Sequence, residues 1–160
     1  MAYNSPIPYE EARIHAAAVY CSDGRVGEHF DDFLQNGLGL PRYDRLALPG
    51  GPASLAGYSD STIEAQAVMD ELNFLVEAHG LKRVVLIQHE GCAFYRMRLG
   101  LTSEQIVRYQ DDDLSRAAQV IAEHTGLSNI EGYFAARADK GIHFRPVAIS
   151  LDPQHLVNRG

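Results

Sequence analysis

The sequence predicts an α/β fold, a mostly parallel central sheet flanked by helices, with an antiparallel edge strand as an option at the carboxyl end. Three observations carry this expectation. Short apolar runs suited to strands buried on both faces alternate with longer segments of helical period. The runs ending at Tyr20 and Ile87 lead directly into residues that bear chemistry, Cys21 and His89, as strands of a parallel sheet do where their carboxyl ends form a site. The last two runs are joined by a short turn, which permits antiparallel pairing.

Ile14 to Tyr20 (IHAAAVY) is mostly apolar without alternation and predicts the first buried strand. From Val26 to Leu38, Phe30, Phe33, Leu34 and Leu38 recur at helical spacing, and Gly37, Gly39 and Pro41 mark the exit. Asp44 to Leu48 is a short strand that runs into Pro49-Gly50-Gly51-Pro52, where the glycines let a ligand approach the backbone. Asp60 or Ser61 is the expected cap of a helix whose buried face is Ile63, Ala67, Val68, Leu72, Leu75 and Val76 and which stops at His79-Gly80. Val84 to Ile87 predicts a core strand with Gln88-His89 at its end. Thr102-Ser103-Glu104-Gln105 has the form of a capping box and opens a long helix ending at Gly126, inside which Asp111, Asp112 and Asp113 read as a solvated face. Ile130 to Ala136 and Ile142 to Ile149 are the final strands, around an Ala138-Asp139-Lys140-Gly141 turn.

Residues 1–160 are expected to form one domain, with residues 1–12 as an N-terminal arm. A chain of ~150 residues buries roughly 70% of its unfolded surface, enough for a substantial core. The net charge of −7 with scattered basic residues argues against nucleic acid and anionic membrane as partners and leaves a small metabolite. Met1 to Glu11 has no apolar core, so no signal peptide is read there. No run reaches the ~18 apolar residues of a membrane span, and a cytoplasmic location is expected. In a reducing compartment the two cysteines point to metal or catalytic use before a disulfide.

Those cysteines define the candidate site. In an extended backbone Cys21, Asp23 and Arg25 point the same way, presenting a thiol, a carboxylate and a guanidinium to one spot. His89 and Cys92 follow a second apolar run. Two thiols and one imidazole form a zinc set of the catalytic type, with the fourth tetrahedral position left for water. Asp23 either joins the metal as a fourth ligand or pairs with Arg25, whose fork holds a carboxylate by two hydrogen bonds. His15, His29, His79, His124, His143 and His155 read as structural or surface residues; Tyr58, Phe94 and Tyr95 fit a pocket wall or the core equally.

The pair CxDxR (Cys21, Asp23, Arg25) and HxxC (His89, Cys92), with Leu48-Pro49-Gly50-Gly51 between them, resembles the β-class carbonic anhydrases over Ile14 to Ile149. The resemblance implies zinc on Cys21, His89 and Cys92, an Asp23–Arg25 dyad with Asp23 on or off the metal, and Gly50 and Gly51 as backbone on the substrate side. It also implies at least a homodimer, and metal-bound hydroxide converting carbon dioxide to bicarbonate. Gly24 stands where the family commonly has serine or alanine, and Ala93 where a glycine usually follows the second cysteine. The family's N-terminal helices, and a substrate-polarising glutamine near them, have no match here, which marks a compact, divergent member.

Two further readings stay open. One is hydrolysis of a carbon dioxide analogue, carbonyl sulfide or carbon disulfide. The other is a catalytically inactive zinc-binding homologue whose site is closed by two Cys, one His and one Asp.

Overall fold

The apolar runs become β1 (Ala16–Cys21), β2 (Asp44–Leu48), β3 (Arg83–His89), β4 (Ile130–Ala138) and β5 (Gly141–Val147). A computed structural model describes residues 1–152 and 154; His155 lies outside the described residues. The five strands form one sheet in the order β2-β1-β3-β4-β5, parallel from β2 through β4 and antiparallel at the β4–β5 edge. Pro146 lies on that edge strand, where a missing N–H disrupts no interior ladder. The chain goes from β1 to one neighbour, β2, and returns to the other, β3. The strand order therefore reverses between β1 and β3, the point where ligands of open α/β sheets bind.

Alternation of side chains makes two cores. Ala17, Val19, Val84 and Leu86 face a layer that includes Leu72 and Leu75 of α2 (Thr62–His79) and Leu114 and Ile121 of α3 (Ser103–Thr125). Ala18, Tyr20, Val85 and Ile87 face Phe30 and Leu34. Phe30 belongs to α1 (Gly27–Asp32), which continues as a π-helical turn over Phe33–Gly37. Phe33 stacks on Phe144 of β5 with ring centroids 4.1 Å apart.

Several boundaries differ from the sequence expectation. β1 starts at Ala16 because His15 has φ +58°, outside the strand region, with its Nδ1 bonded to the His79 carbonyl at 2.9 Å. β5 ends at Val147. Ser61 is the N-cap residue of α2, but its hydroxyl donates to the Ser54 carbonyl at 2.9 Å and bonds no N–H of the helix, while Asp60 lies in a 3-10 turn. Ile63 and Ala67 are exposed, and Met69 takes their place on the buried face. The capping box at Thr102 and Gln105 is present in both directions.

The aspartate run is not a wholly solvated face, since Asp113 is fully buried and accepts hydrogen bonds from Tyr58 and Tyr95. Phe94 and Tyr95 are buried in a small cluster with Cys21 and Cys92. No helix among the described residues is long and apolar enough to cross a membrane.

Candidate metal centre

Cys21 ends β1 and His89 ends β3, and these strands are direct neighbours with Tyr20 opposite Ile87. Parallel pairing thus delivers both side chains to the same end of the sheet. Cys92 lies in the loop between β3 and a π-helical turn, Phe94–Arg98. The two sulfurs are 3.9 Å apart, and the ligand atoms of Cys21, His89 and Cys92 all lie within 4.8 Å of one another. All three residues are buried.

This geometry tests the fit to a metal ion. A disulfide needs about 2.05 Å between sulfurs, whereas a tetrahedral zinc ion with Zn–S near 2.3 Å sets two thiolates about 3.8 Å apart. The Nδ1–H of His89 donates to the Glu90 carbonyl at 3.0 Å. That carbonyl only accepts, so Nε2 is left with its lone pair free to bind. Nε2 is buried and has no hydrogen-bond partner among the described residues. Such an orphan costs about 1–3 kcal/mol, and a cation would satisfy it. A carbonyl on the other ring nitrogen is the arrangement metal-binding histidines use. The donor set fits zinc.

The backbone supports the sulfurs as anions. The Cys92 thiol donates to Cys21, and the nearby His89 ring and the N–H groups of Gly50 and Asp23 add to it; together they outweigh burial and hold the Cys21 pKa well below the ordinary thiol value. The Cys92 thiol is pushed up, first by giving its hydrogen bond to Cys21 and then by burial, despite the N–H groups of Phe94 and Tyr95.

Gly51 has φ +50°, and a Cβ there would stand 2.6 Å from the Tyr20 carbonyl carbon and 2.8 Å from the Cys21 nitrogen. Only glycine lets this turn lie against the end of β1. Gly50, at φ +81°, packs against the Phe94 ring in the same way. Gly51 thus lies against the backbone that carries Cys21, and Gly50 against the Phe94 ring.

Asp23 is absent from the three-residue cluster. Its carboxylate takes the Arg25 Nη2 at 2.6 Å, Nε at 3.0 and 3.1 Å, and the Arg25 backbone N–H at 3.0 Å. These bonds hold its pKa down at about 2. Asp23 and His89 line a cavity of about 180 Å³ with Val26, Gly91 and Arg137. A second cleft of about 510 Å³ opens on the Cys92 side, with Arg96, Ile106 and Gln110 in its wall. Gln110, whose amide donates to the His89 carbonyl at 2.9 Å, was not expected near the site. Its place one turn before Asp113 on α3 becomes meaningful only once that helix face is known to be buried.

Residues 11–143 match the family described as "Putative carbonic anhydrase". The chain belongs to this carbonic anhydrase family. An uncharacterized protein of Rickettsia conorii is 30% identical over 102 residues, which are 62% of this chain and 52% of that protein. The match thus spans about half of that relative's length. The β-carbonic anhydrase isoform I of Trichomonas vaginalis has the same fold, with a TM-score of 0.57 at 16% identity over 89% of this chain and 87% of that one. The β-carbonic anhydrase CafA of Aspergillus fumigatus gives a TM-score of 0.46 at 18% identity, over 88% and 77% of the two chains. Against the family pattern, Gly24 has open space where a Cβ would point, so its glycine reflects no crowding. Residues 1–13 contain neither helix nor strand, and their side chains are exposed.

Proposed function

We propose that this chain is a zinc-dependent carbonic anhydrase that interconverts carbon dioxide and bicarbonate. The observation that carries the reading is the buried Cys21–His89–Cys92 cluster, ligand atoms within 4.8 Å, with His89 Nε2 left unpartnered. Zinc held there would lower the pKa of a bound water and so supply a nucleophile near neutral pH.

The chain's own residues do the rest. With its pKa at about 2, Asp23 is ionised throughout the working range, too weak a base to store a proton and suited to accept a hydrogen bond that orients the nucleophile. Arg25 fixes the direction of that acceptor by binding both carboxylate oxygens. Gly50 supports the Cys21 sulfur through its N–H, and with Gly51 we assign it the backbone on the substrate side. Two thiolate ligands weaken the effective charge of the metal relative to an all-imidazole site, so turnover is expected to rise toward mildly alkaline pH.

A free Cys pair 3.9 Å apart favours a reducing, cytoplasmic setting. A homodimer is the proposed assembly, supported by the exposed Tyr3, Ile7 and Tyr9 of the arm. The closed-site alternative has less support, because Asp23 spends its carboxylate on Arg25. The test is stopped-flow hydration of carbon dioxide by protein of verified zinc content; zinc-loaded protein with no turnover above the buffer would reject the proposal.

A further inference from the structure

We propose that Gln110 and Asp113 of α3 are positioning residues, which hold His89 and Cys92 at the separation a metal ion requires. The inference rests on the zinc reading above and concerns the layer of residues behind the ligands. Three hydrogen bonds carry it. The Gln110 amide donates to the His89 carbonyl at 2.9 Å, the Tyr95 hydroxyl donates to the Asp113 carboxylate at 2.7 Å, and the Gln88 amide donates to the Tyr95 hydroxyl at 2.8 Å. Gln88 immediately precedes His89, and the Tyr95 N–H points at the Cys92 sulfur. All six residues are buried.

The His89 and Cys92 segments meet across Glu90 and Gly91, which are exposed and tied to β4 only from the side of Glu90, whose N–H donates to the Ala135 carbonyl at 2.9 Å and whose carboxylate accepts the Arg137 N–H at 2.8 Å. α3 is a firmer reference. It is capped at its start and seats Leu114, Ala117, Ala118 and Ile121 in the main core. Gln110 and Asp113 are three residues apart on it and so share one face, with Gln110 gripping the strand end and Asp113 gripping the turn. Burying a carboxylate and two amides in an otherwise apolar layer is costly. Part of that cost falls where the ligand spacing is set, and the same carboxylate also accepts the Tyr58 hydroxyl at 3.0 Å, which ties the network to the segment before α2. Outer residues of this kind typically change metal affinity 10–100-fold.

The experiment compares zinc affinity by chelator competition, and the absorption spectrum of the cobalt(II)-substituted protein, in wild type, Tyr95→Phe and Gln110→Met. Leu72→Ala, a core change away from the site, serves as the stability control. All are measured at a temperature where circular dichroism shows each to be folded. The expected result is zinc binding weakened roughly 10–100-fold in both site variants with altered cobalt–thiolate bands, while Leu72→Ala melts lower yet binds and absorbs like wild type. Asp113→Asn, which keeps an acceptor for Tyr95, is expected to lose less than Tyr95→Phe. Wild-type affinity and spectrum in both folded site variants would overturn the positioning role and leave the zinc reading standing. A wild-type chain that takes up no metal would overturn both.

Discussion

Asp23 and Arg25 are joined twice over: the Arg25 guanidinium binds both carboxylate oxygens while the Arg25 backbone N–H binds one of them at 3.0 Å. The Arg25 side chain is 77% exposed and that of Asp23 only 18%, so the cation stands in solvent while the carboxylate is partly covered. Asp23→Asn is therefore expected to keep zinc and lose turnover by roughly 10²-fold or more. Arg25→Ala, which leaves the carboxylate but not its aim, should lose roughly 10–100-fold. Metal analysis and carbon dioxide kinetics on the same samples check both.

The sign of the Asp23 shift sets a pH test. Its pKa is depressed to about 2, so whatever the pair contributes to stability is complete above the ordinary value of about 3.9 and is lost as pH falls toward about 2. Nothing on Asp23 titrates between about pH 6 and 9. The pH–rate profile of Asp23→Asn should keep the wild-type inflection at a lower plateau. An inflection displaced by a unit or more would mean that Asp23 is the titrating group.

Metal uptake should release a proton from the thiol pair. Cys21 is held down and Cys92 is pushed up, each by the hydrogen bond between them, so one thiol proton must leave when both sulfurs bind. Apparent zinc affinity should fall as the pH is lowered. Calorimetry in buffers of different ionisation enthalpy is expected to count about one thiol proton near pH 7.5, whereas two ordinary thiols of pKa ~8.5 would release nearly two.

Gly51→Ala tests the turn behind Cys21. A Cβ 2.6 Å from the Tyr20 backbone, at φ +50°, can be relieved only by moving β1 or the turn. The expected loss is about 1–3 kcal/mol in chemical denaturation, together with weaker zinc binding. Gly24→Ala, with open space around it, should change neither.

The arm offers a test of assembly. Residues 1–12 are exposed throughout, with Tyr3, Ile7 and Tyr9 among the most accessible apolar side chains. Deleting residues 2–12 should leave the circular dichroism spectrum unchanged and shift sedimentation from dimer toward monomer. A full-length chain that already sediments as a monomer would refute the dimer.

Much of this was legible in the sequence for reasons that can be named. The β1 and β3 runs are apolar on both faces because helices cover both sides, and that composition has few other uses. Gly80 and Gly126 end their helices in the left-handed conformation that other residues avoid. Ile63 misled because apolar character was weighed ahead of phase. It lies nine residues before Leu72, and at about 100° per residue that places it half a turn from the buried face. Asp113 yields to the same arithmetic, standing four residues after Tyr109 and four before Ala117, both buried. What no periodicity could reveal is its partners. Tyr58 and Tyr95 reach it from distant segments, a product of tertiary packing.

The most direct test of the central claim is carbon dioxide hydration by stopped flow, on wild-type protein with one zinc per chain, at about pH 7 and about pH 9, which bracket the titration of a zinc-activated water. Turnover well above the buffer rate, larger at the higher pH and lost together with zinc on chelation, is the predicted result. A fully zinc-loaded protein that leaves carbon dioxide hydration at the buffer rate at both pH values would contradict it.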